Sequence, residues 1–372
     1  MSKLQVALVA PSLGILGGQA VQADRLLRAW RGDPDVHAWL VPINPLPPRV
    51  LRFASRVKYL RTIVTELTYL PLLMRELGRA DVVHVFSASY SSFLLAPLPA
   101  ILIARLLGKP VVLNYRSGHA PGHLGRSRVA RWAIRRATRN VVPSQFLVDV
   151  FGRFGIQASI IPNVVDTDRF RFRERTPLRP RLLSTRNLDG LYNVACTLRA
   201  FRIIQARWPE AELTLVGGGS EEGALRRLAA ELNLRNVVFA GRVAPDAIAG
   251  FYAAADLYIQ SPDIDNMPTS IVEAYASGLP VVSTEAGGIP AILTAGEHGL
   301  LAPLNDHEAL ARCVQYLLDN PDEARRMAHQ AHRWCQCCTW PAVRDRWLEL
   351  YRDAAAQAGI PVPEANAASR CP

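Results

Sequence analysis

The sequence predicts an α/β protein with two doubly wound parallel sheets of about six strands each. Short apolar runs alternate with longer segments of helical period along the chain, which is typical of βα units around a parallel sheet. The 372 residues are enough for two ordinary domains rather than one. A join rich in Arg and Pro at residues 166–180 separates two sets of these runs and predicts the linker between the domains.

Six apolar runs precede the linker and six follow it, and we expect each to form one strand. The first six span residues 4–10, 38–43, 81–86, 110–115, 140–143 and 159–162. The second six span residues 181–185, 212–217, 237–240, 255–260, 281–284 and 299–302. Three helices are predicted near the end of the chain, over residues 306–319, 321–335 and 341–356. Because open parallel sheets bind ligands at the carboxyl ends of their strands, two facing sheets would place a site in the cleft between them.

Charge is unevenly distributed along the chain, whose net charge is +11. Residues 1–165 carry 21 Lys and Arg against 7 Asp and Glu, whereas residues 166–372 carry 22 against 25. A basic first half implies an anionic partner, such as a membrane surface, an acidic glycan or nucleic acid. Nucleic acid is disfavoured, because no recognised motif or aromatic platform accompanies the charge.

The cysteines do not form a zinc pattern. Cys335, Cys337 and Cys338 lie close together, but no second cluster or histidine pair stands at zinc spacing, so no metal site is expected. We expect reduced cysteines in a cytoplasmic protein. Proline and glycine interrupt the apolar residues 4–16, which favours a strand entering a glycine loop over a secretory signal. The apolar residues 93–107 are fewer than the roughly 20 that a membrane span needs.

The segment 265–282 combines two acids with the start of a helix. Pro268 suits the first turn of that helix, and Gly278 suits the left-handed residue after its end. The free N–H groups of a helix N-terminus attract anions, so we expect a phosphate there. Asp265 before the helix and Glu273 within it could then hold the hydroxyls of a sugar and a ribose. The acid spacing alone also fits a capped amphipathic helix whose acids are solvated.

Together with Gly278-x-Pro280 and the Ala-Gly-Gly-Ile-Pro run at residues 286–290, this segment resembles the Glu-x7-Glu signature of retaining glycosyltransferases. Those enzymes have the GT-B fold, with two Rossmann-like domains facing across a cleft. The resemblance implies that Glu273 binds the ribose of a nucleoside-diphosphate sugar and that Asp265 contacts the transferred sugar. It also implies that neither a cofactor nor a metal is required. The implied binding segment for the distal phosphate of the donor is Asn266, Met267, Pro268, Thr269 and Ser270.

The resemblance places three further glycine or loop segments near the donor. The first matches the glycine loop that faces the diphosphate and the acceptor, since glycines let a backbone approach a phosphate closely. The second is a glycine turn near the nucleotide, and the third is the segment whose backbone contacts the base. These segments contain Gly17 with Gly18, Gly217 with Gly219, and Arg242 with Val243, respectively.

Arg186 closes a predicted strand and resembles the arginine that clamps the donor diphosphate. A guanidinium suits this role because it binds phosphate oxygens bidentately. Without the resemblance, an exposed arginine at a strand end explains it equally well. The lysine that usually follows in the family is absent, and Tyr192 or Asn193 could supply a neutral hydrogen bond instead.

A second departure from the family follows the strand at residues 110–115. The family often has a histidine there, close to the transferred sugar, whereas this chain has Arg116 and then His119. An arginine at this position would favour an anionic sugar or acceptor. His119 could swing into the site, although an ordinary loop histidine fits the sequence as well. The resemblance thus gives four catalytic candidates, which are Arg116, His119, Arg186 and Asp265.

Residues 49–79 form a basic amphipathic stretch. Such a stretch is typical of a helix that lies on an anionic membrane or beside an acidic acceptor. A helix that packs on the core with solvated arginines explains it equally well. The basic residues are Arg49, Arg52, Arg56, Lys58, Arg61, Arg75 and Arg79.

The resemblance predicts a retaining glycosyltransferase that moves a sugar from a nucleoside-diphosphate sugar to a glycan or lipid-linked acceptor. We expect it in the cytoplasm, peripherally bound to the inner face of the cell membrane. Residues 1–165 would form the acceptor domain and residues 166–349 the donor domain, with residues 350–372 packing back onto the first. The alternative is a non-catalytic module that binds sugar nucleotides, because the clamp lysine is missing and Arg116 replaces the histidine.

Overall fold

The computed structural model describes residues 3–14, 17–45 and 58–361, except for the side chains of Lys58, Tyr59 and Arg61. These residues form two compact units. One unit comprises the residues up to Val164 together with those from Val343 onward, and the other comprises Val165–Ala342.

The first unit contains a parallel sheet of six strands. The strands are β1 (Leu4–Ala10), β2 (Val36–Pro42), β3 (Val82–Ser87), β4 (Val111–Tyr115), β5 (Arg139–Val142) and β6 (Ser159–Ile160). Their order across the sheet is β2-β1-β3-β4-β5-β6. Its helices are α1 (Gly18–Ala29), α2 (Lys58–Gly78), α3 (Ser91–Leu95), α4 (Pro97–Leu106), α5 (Ala120–Arg126), α6 (Arg128–Ile134) and α7 (Gln145–Gly152).

The second unit contains another parallel sheet of six strands. They are β7 (Arg181–Ser184), β8 (Glu212–Val216), β9 (Val237–Gly241), β10 (Leu257–Gln260), β11 (Val281–Thr284) and β12 (Leu300–Ala302), in the order β12-β11-β10-β7-β8-β9. The helices that begin in this unit are α8 (Val194–Arg207), α9 (Glu222–Glu231), α10 (Ile248–Ala254), α11 (Thr269–Ala276), α12 (His307–Asp319), α13 (Pro321–Cys335) and α14 (Trp340–Gln357). From Val343 onward, α14 belongs to the first unit.

All twelve predicted strands are present, and the predicted α/β class is confirmed. Strands β3, β4, β10 and β11 are buried along their whole length. This burial explains why the sequence shows them as continuous apolar runs rather than as alternating patterns. Strand β2 begins two residues earlier than predicted, because Val36 already pairs with Leu4 and its N–H donates to Oδ1 of Asp33 at 3.1 Å.

The chain joins the first unit again at Val343, which is earlier than the predicted residue 350. Arg344 explains part of this difference, because it lies 2.7 Å from a carboxylate oxygen of Asp33 and 2.6 Å from one of Asp35. Trp347 is buried, with its ring centroid 4.8 Å from that of His84. The linker predicted at residues 166–180 falls at the start of the second unit.

Helix α2 has apolar residues on two faces. Val64, Tyr69, Leu73 and Leu77 are buried. Five further apolar residues recur at helical spacing and are 41–62% exposed; they are Leu60, Ile63, Leu67, Leu70 and Met74. Of the predicted basic residues, Arg49, Arg52 and Arg56 lie outside the described residues, as do the side chains of Lys58 and Arg61. Across the described ranges, no helix is both long and apolar enough to cross a membrane.

Candidate functional site

Helix α11 begins one residue later than the sequence suggests. Pro268 precedes the helix as its N-cap, with φ −65° and ψ 119°, and does not lie in the first turn. Its carbonyl accepts the N–H of Ile271 at 3.2 Å, so it already takes part in the opening turn. The N–H groups of Thr269 and Ser270 therefore come first in the helix, where no intrahelical acceptor exists for them. Together they give this end of α11 a partial positive charge.

The end of α11 has the predicted glycine stop. Gly278 has φ 73°, its N–H donates to the carbonyl of Tyr275 at 3.0 Å, and the N–H of Leu279 donates to that of Ala274 at 2.9 Å. This pair of bonds is a Schellman motif. A Cβ at Gly278 would lie 2.7 Å from the ring of Phe172, so both conformation and space require glycine here. The motif fixes where the helix ends and β11 begins.

Arg186 follows β7 and meets the segment before α11. Its Nη2 pairs with a carboxylate oxygen of Asp265, and its Nη1 donates to Oγ of Ser270 at 3.0 Å. Its guanidinium carbon lies 4.1 Å from the ring centroid of Tyr192. Burial disfavours the charged form, but the Asp265 carboxylate more than offsets this, so the pKa of Arg186 is raised above its ordinary value. The guanidinium is therefore a permanent, oriented cation.

The remaining nitrogen of Arg186 has no partner. Its Nε is excluded from solvent and forms no hydrogen bond within the part of the chain that the structure describes. Asp265 is engaged at both oxygens, because its Oδ1 accepts the N–H of Asn266 at 2.8 Å while Oδ2 pairs with Arg186. The site thus combines a fixed cation, a fixed carboxylate and the N-terminal amides of α11.

Glu273 lies one turn inside α11 and is buried, with 7% of its surface exposed. Its Oε2 accepts the hydroxyl of Tyr252 at 3.0 Å, and that hydroxyl also lies 2.6 Å from Oγ1 of Thr185. Burial and the negative charge of Glu273 together raise the pKa of Tyr252 well above its ordinary value, so the phenol stays protonated. The carboxylate therefore accepts a hydrogen bond from a neutral donor.

Glycines bring the turn after β8 against the segment that follows Arg186. Gly217 has φ 150°, and a Cβ there would overlap the carbonyl oxygen of Arg186. A Cβ at Gly219 would likewise overlap the carbonyl of Leu188. The N–H of Leu188 donates to the carbonyl of Gly218 at 3.2 Å. These glycines therefore serve a close approach of two backbone segments within the chain.

Arg242 and Val243 lie beside this turn. The N–H of Gly217 donates to the carbonyl of Gly241 at 2.9 Å, and a Cβ at Gly218 would lie 3.0 Å from Cγ of Arg242. Arg242 is exposed, whereas Val243 packs partly buried against the core. The two segments that the resemblance places near the nucleotide and the base are therefore neighbours in the second unit.

The segment between Arg186 and α8 is fixed at its far end by Asn193. This residue adopts a left-handed conformation, with φ 42°, and its Oδ1 caps α8 by accepting the N–H of Cys196 at 3.3 Å. Its Nδ2 donates to Asp263 at 3.0 Å, and the Asp263 N–H donates to the carbonyl of Leu191 at 3.0 Å. Asn193 therefore holds the loop that carries Tyr192.

In the first unit, Gly17 and Gly18 open α1, while residues 15 and 16 lie outside the described residues. Among the described residues, no atom of a non-neighbouring residue lies within 4 Å of where a Cβ on Gly17 or Gly18 would stand. Gln19 donates to the carbonyl of Ser87 at 2.9 Å, which ties the start of α1 to the end of β3. The glycines thus begin α1 at the carboxyl edge of this sheet.

Arg116 and His119 follow β4 at the same edge. Nη1 of Arg116 donates to Oδ1 of Asn114 at 3.3 Å, and its guanidinium carbon lies 5.4 Å from the ring centroid of Phe86. His119 is the N-cap of α5, and its ring lies 5.8 Å from that of Tyr90. Both candidates belong to the first unit, whereas Arg186 and Asp265 belong to the second.

A second histidine, which was not predicted from the sequence, lies at this edge. His123 is buried, and its Nδ1 lies 2.8 Å from the hydroxyl of Tyr115, which is 2.8 Å from Oγ of Ser89. Burial lowers the pKa of His123 to about 4, so the ring is neutral near pH 7. In the sequence, the one feature that could have indicated His123 is its spacing from His119 at a short helix. Within the described ranges, no group of three or more His, Cys, Asp or Glu side chains could hold a metal ion.

Two family models match the chain, and together they cover most of it. The model for glycosyl transferases group 1 matches residues 166–334, and the model for glycosyltransferase family 4 matches residues 5–169.

Several characterised relatives are similar in sequence. The GDP-mannose-dependent alpha-(1-6)-phosphatidylinositol monomannoside mannosyltransferase of Mycobacterium tuberculosis is 30% identical over 67% of this chain and 70% of its own length. The corresponding enzyme of Mycolicibacterium smegmatis is 28% identical over 73% of this chain and 76% of its own length. The sulfoquinovosyl transferase SQD2 of Arabidopsis thaliana is 25% identical over 74% of this chain and 57% of its own length.

Solved structures share the fold at lower sequence identity. Anabaena Alr3699/HepE in complex with UDP and glucose superposes with a TM-score of 0.73 and 17% identity, over 93% of this chain and 99% of that one. Sucrose-phosphate synthase from Thermosynechococcus elongatus gives a TM-score of 0.74 and 19% identity, over 95% of this chain and all of that one. These similarities show that the two units have the GT-B type of fold.

Proposed function

Because the chain belongs to the glycosyl transferases group 1 family and is a glycosyltransferase, we propose that it transfers a sugar from a nucleoside-diphosphate sugar with retention of configuration. The observation that carries this proposal is the convergence of Arg186, Asp265 and the N-terminus of α11. A guanidinium beside free helix amides is suited to a diphosphate, since both favour the same negative charge.

In the proposed complex, the donor diphosphate takes hydrogen bonds from Arg186 and from the amides of Thr269 and Ser270. The leaving nucleoside diphosphate gains negative charge as the glycosidic bond breaks, and these donors stabilise that charge without reorganising. Glu273 would accept the ribose hydroxyls, and Asp265 would accept a hydroxyl of the sugar. No metal or cofactor is needed for these roles.

Retention is proposed to occur without a protein nucleophile. Asp265 is the carboxylate before α11, but its oxygens are held by the N–H of Asn266 and by the Arg186 guanidinium. Donors on both oxygens lower the nucleophilicity of a carboxylate, while each oxygen keeps a lone pair that can accept a sugar hydroxyl. The acceptor would then attack from the side of the leaving diphosphate.

The identity of donor and acceptor is proposed from the relatives. The mannosyltransferases depend on GDP-mannose, whereas Alr3699/HepE binds UDP and glucose, so GDP- and UDP-sugars are the two donor classes to test. The mannosyltransferases act on a phosphatidylinositol monomannoside, which supports a glycan or lipid-linked acceptor here.

The surface of α2 supports a membrane-bound acceptor. Its five exposed apolar residues, 41–62% accessible, form one stripe on a unit that carries excess positive charge. Arg75 lies in the last turn of the same helix, and Arg79 directly follows the helix. An apolar stripe with nearby arginines is suited to the interface of an anionic membrane. We therefore propose that α2 docks peripherally on the inner face of the cell membrane, which places the protein in the cytoplasm.

Incubation with a panel of GDP- and UDP-sugars, followed by mass spectrometry of the released nucleotide, tests the proposal. We expect slow hydrolysis or transfer for one donor class, and a clear loss of diphosphate affinity in Arg186→Lys with unchanged nucleoside binding, since lysine keeps the charge but loses the fork. The replacement of the family's clamp lysine favours one other candidate, a non-catalytic sugar-nucleotide-binding module. Tight binding of a nucleotide sugar without any turnover would support that module and contradict the enzyme.

A further inference from the structure

Among the residues that the structure describes, Arg116 has no counterion. It directly follows β4, at the edge of the sheet where the strands end. Its Nη2 is excluded from solvent and has no hydrogen-bond partner, and the guanidinium forms no ion pair with any residue that the structure describes. Its contacts are a neutral amide oxygen at 3.3 Å and an aromatic ring at 5.4 Å.

A chain of hydrogen bonds holds this guanidinium in place. Asn114 accepts from Arg116 with Oδ1, and its Nδ2 lies 3.1 Å from Nε2 of His84. Nδ1 of His84 lies 2.7 Å from the hydroxyl of Tyr351 on α14. Burial and the charge of Arg116 lower the pKa of His84 to about 3, so the imidazole is neutral. Its Nε2 must then accept from Asn114, which directs the amide oxygen of Asn114 at Arg116.

These contacts position Arg116 but do not neutralise it. Burial lowers its pKa to about 9, so it stays charged at neutral pH. A partly buried charge that lacks an ionic partner is costly and is expected only where something else supplies that partner. Arg344 in the same unit shows the usual solution, because Asp33 and Asp35 both pair with it.

We propose that Arg116 binds an anionic group of a substrate, a carboxylate, sulfonate or phosphate, at the carboxyl end of β4. All three groups present oxygens that fit the donor fork of a guanidinium. Ligands of open parallel sheets bind at this edge, where Gly17 and Gly18 also begin α1. The inference rests on the proposed function, since the anion is assigned to the acceptor or to the transferred sugar.

The test compares charged and neutral ligands in matched variants. The full-length protein is first saturated with the nucleoside diphosphate that it binds, so that Arg186 is occupied, and is then titrated calorimetrically with glucose and glucose 6-phosphate. A second pair of titrations, without the nucleotide, compares UDP-glucose with UDP-glucuronate, or GDP-mannose with GDP-mannuronate. The variants are Arg116→Gln and, as the control, Arg153→Gln, which removes an exposed charge from the same unit.

We expect the wild type and Arg153→Gln to bind the charged member of one pair at least tenfold more tightly than the neutral member. Arg116→Gln should lose that preference while its nucleoside diphosphate affinity stays unchanged. If Arg116→Gln loses the preference between glucose and glucose 6-phosphate, the anion belongs to the acceptor. If it loses the preference between the two nucleotide sugars, the anion belongs to the donor sugar. The inference is overturned if the preference in both pairs is the same in Arg116→Gln as in the wild type.

Two outcomes separate this inference from the proposed function. If no nucleotide binds but glucose 6-phosphate still shows an Arg116-dependent preference, the proposed function fails and the anion site stands. If nucleotides bind and turn over without any such preference, only the anion site fails. Arg116→Lys covers the case in which the glutamine variant does not fold: it should bind the charged ligand more weakly than wild type, because lysine lacks the fork. An unchanged preference in the lysine variant would contradict bidentate binding.

Discussion

The guanidinium carbon of Arg186 lies 4.1 Å from the centroid of the Tyr192 ring. Tyr192 stands in the segment where the resembling family usually has its second clamp cation, so this chain has an aromatic ring beside the arginine proposed to bind the diphosphate. The ring cannot add positive charge, but it can hold the plane of the guanidinium through a cation–π contact. Burial raises the pKa of Tyr192 and the nearby cation only partly opposes this, so the hydroxyl remains neutral.

We predict that Tyr192→Leu weakens the binding of nucleoside diphosphate, while Tyr192→Phe is close to wild type. Removing the ring should cost about 0.5–2 kcal/mol, the range of a cation–π contact. The nucleoside without phosphates should bind all three proteins equally, which calorimetry can establish. Equal losses in the leucine and phenylalanine variants would show that the hydroxyl acts on the donor and that the ring does not position Arg186.

Glu273→Ala should reduce nucleotide affinity by roughly 1.5–3 kcal/mol, because a carboxylate that accepts ribose hydroxyls is lost. The fold should tolerate the change, since the Tyr252 hydroxyl keeps Thr185 and the carbonyl of Ser270 as neighbours. Calorimetry with the nucleotide measures the first effect, and thermal unfolding measures the second. Glu231→Ala, on the exposed end of α9, is the control. Unchanged affinity in a folded Glu273→Ala protein contradicts the ribose role.

Gly278→Ala should lower the free energy of unfolding more than Gly155→Ala does. Both glycines are left-handed, with φ 73° and φ 64°, and an alanine in that conformation costs on the order of 1–2 kcal/mol. Only at Gly278 does the added Cβ also meet Phe172, at 2.7 Å, whereas nothing lies within 4 Å at Gly155. Denaturant unfolding gives both values. If both substitutions lower the free energy of unfolding equally, the Phe172 ring moves aside without cost.

The apolar stripe on α2 should bind anionic membranes. We expect the protein to sediment with vesicles of phosphatidylglycerol and phosphatidylcholine, and not with phosphatidylcholine alone, with weaker binding at high salt. Changing Ile63 and Leu67 together to Ser should reduce sedimentation at least tenfold. Each substitution removes roughly 1.5–3 kcal/mol of the free energy gained when an apolar side chain is buried in the membrane. Val238→Ser, another exposed apolar residue, is the control. A wild type that ignores anionic vesicles at low salt would exclude membrane docking by α2.

Local patterns were enough to predict the strands and the end of α11. Strands buried on both faces must be apolar throughout, and a helix that ends at a left-handed residue needs glycine there. Both features therefore depend only on residues that are close together in the sequence. The start of α11 was predicted one residue early, because proline is compatible with the N-cap as well as with the first turn.

Long-range contacts could not be predicted from such patterns. The Tyr252 hydroxyl that orients Glu273 comes from α10, and nothing in the α10 sequence marks that contact. The hydrogen bond between His84 and Tyr351 joins residues 267 positions apart, and it anchors the chain of hydrogen bonds that holds Arg116. Such partners depend on how helices pack on the sheet, which one sequence does not reveal.

Release of nucleoside diphosphate from its sugar conjugate by wild type and Asp265→Asn tests the account most directly. Asp265 is assigned to the sugar, and its loss leaves Arg186 free to hold the diphosphate. Mass spectrometry should show turnover of one donor class by the wild type. In Asp265→Asn, turnover should fall at least tenfold while calorimetry gives nearly unchanged nucleotide affinity. Turnover at the wild-type rate in this variant would contradict the assignment of this site. Equal losses of affinity for the free nucleotide and for the nucleotide sugar would also contradict it.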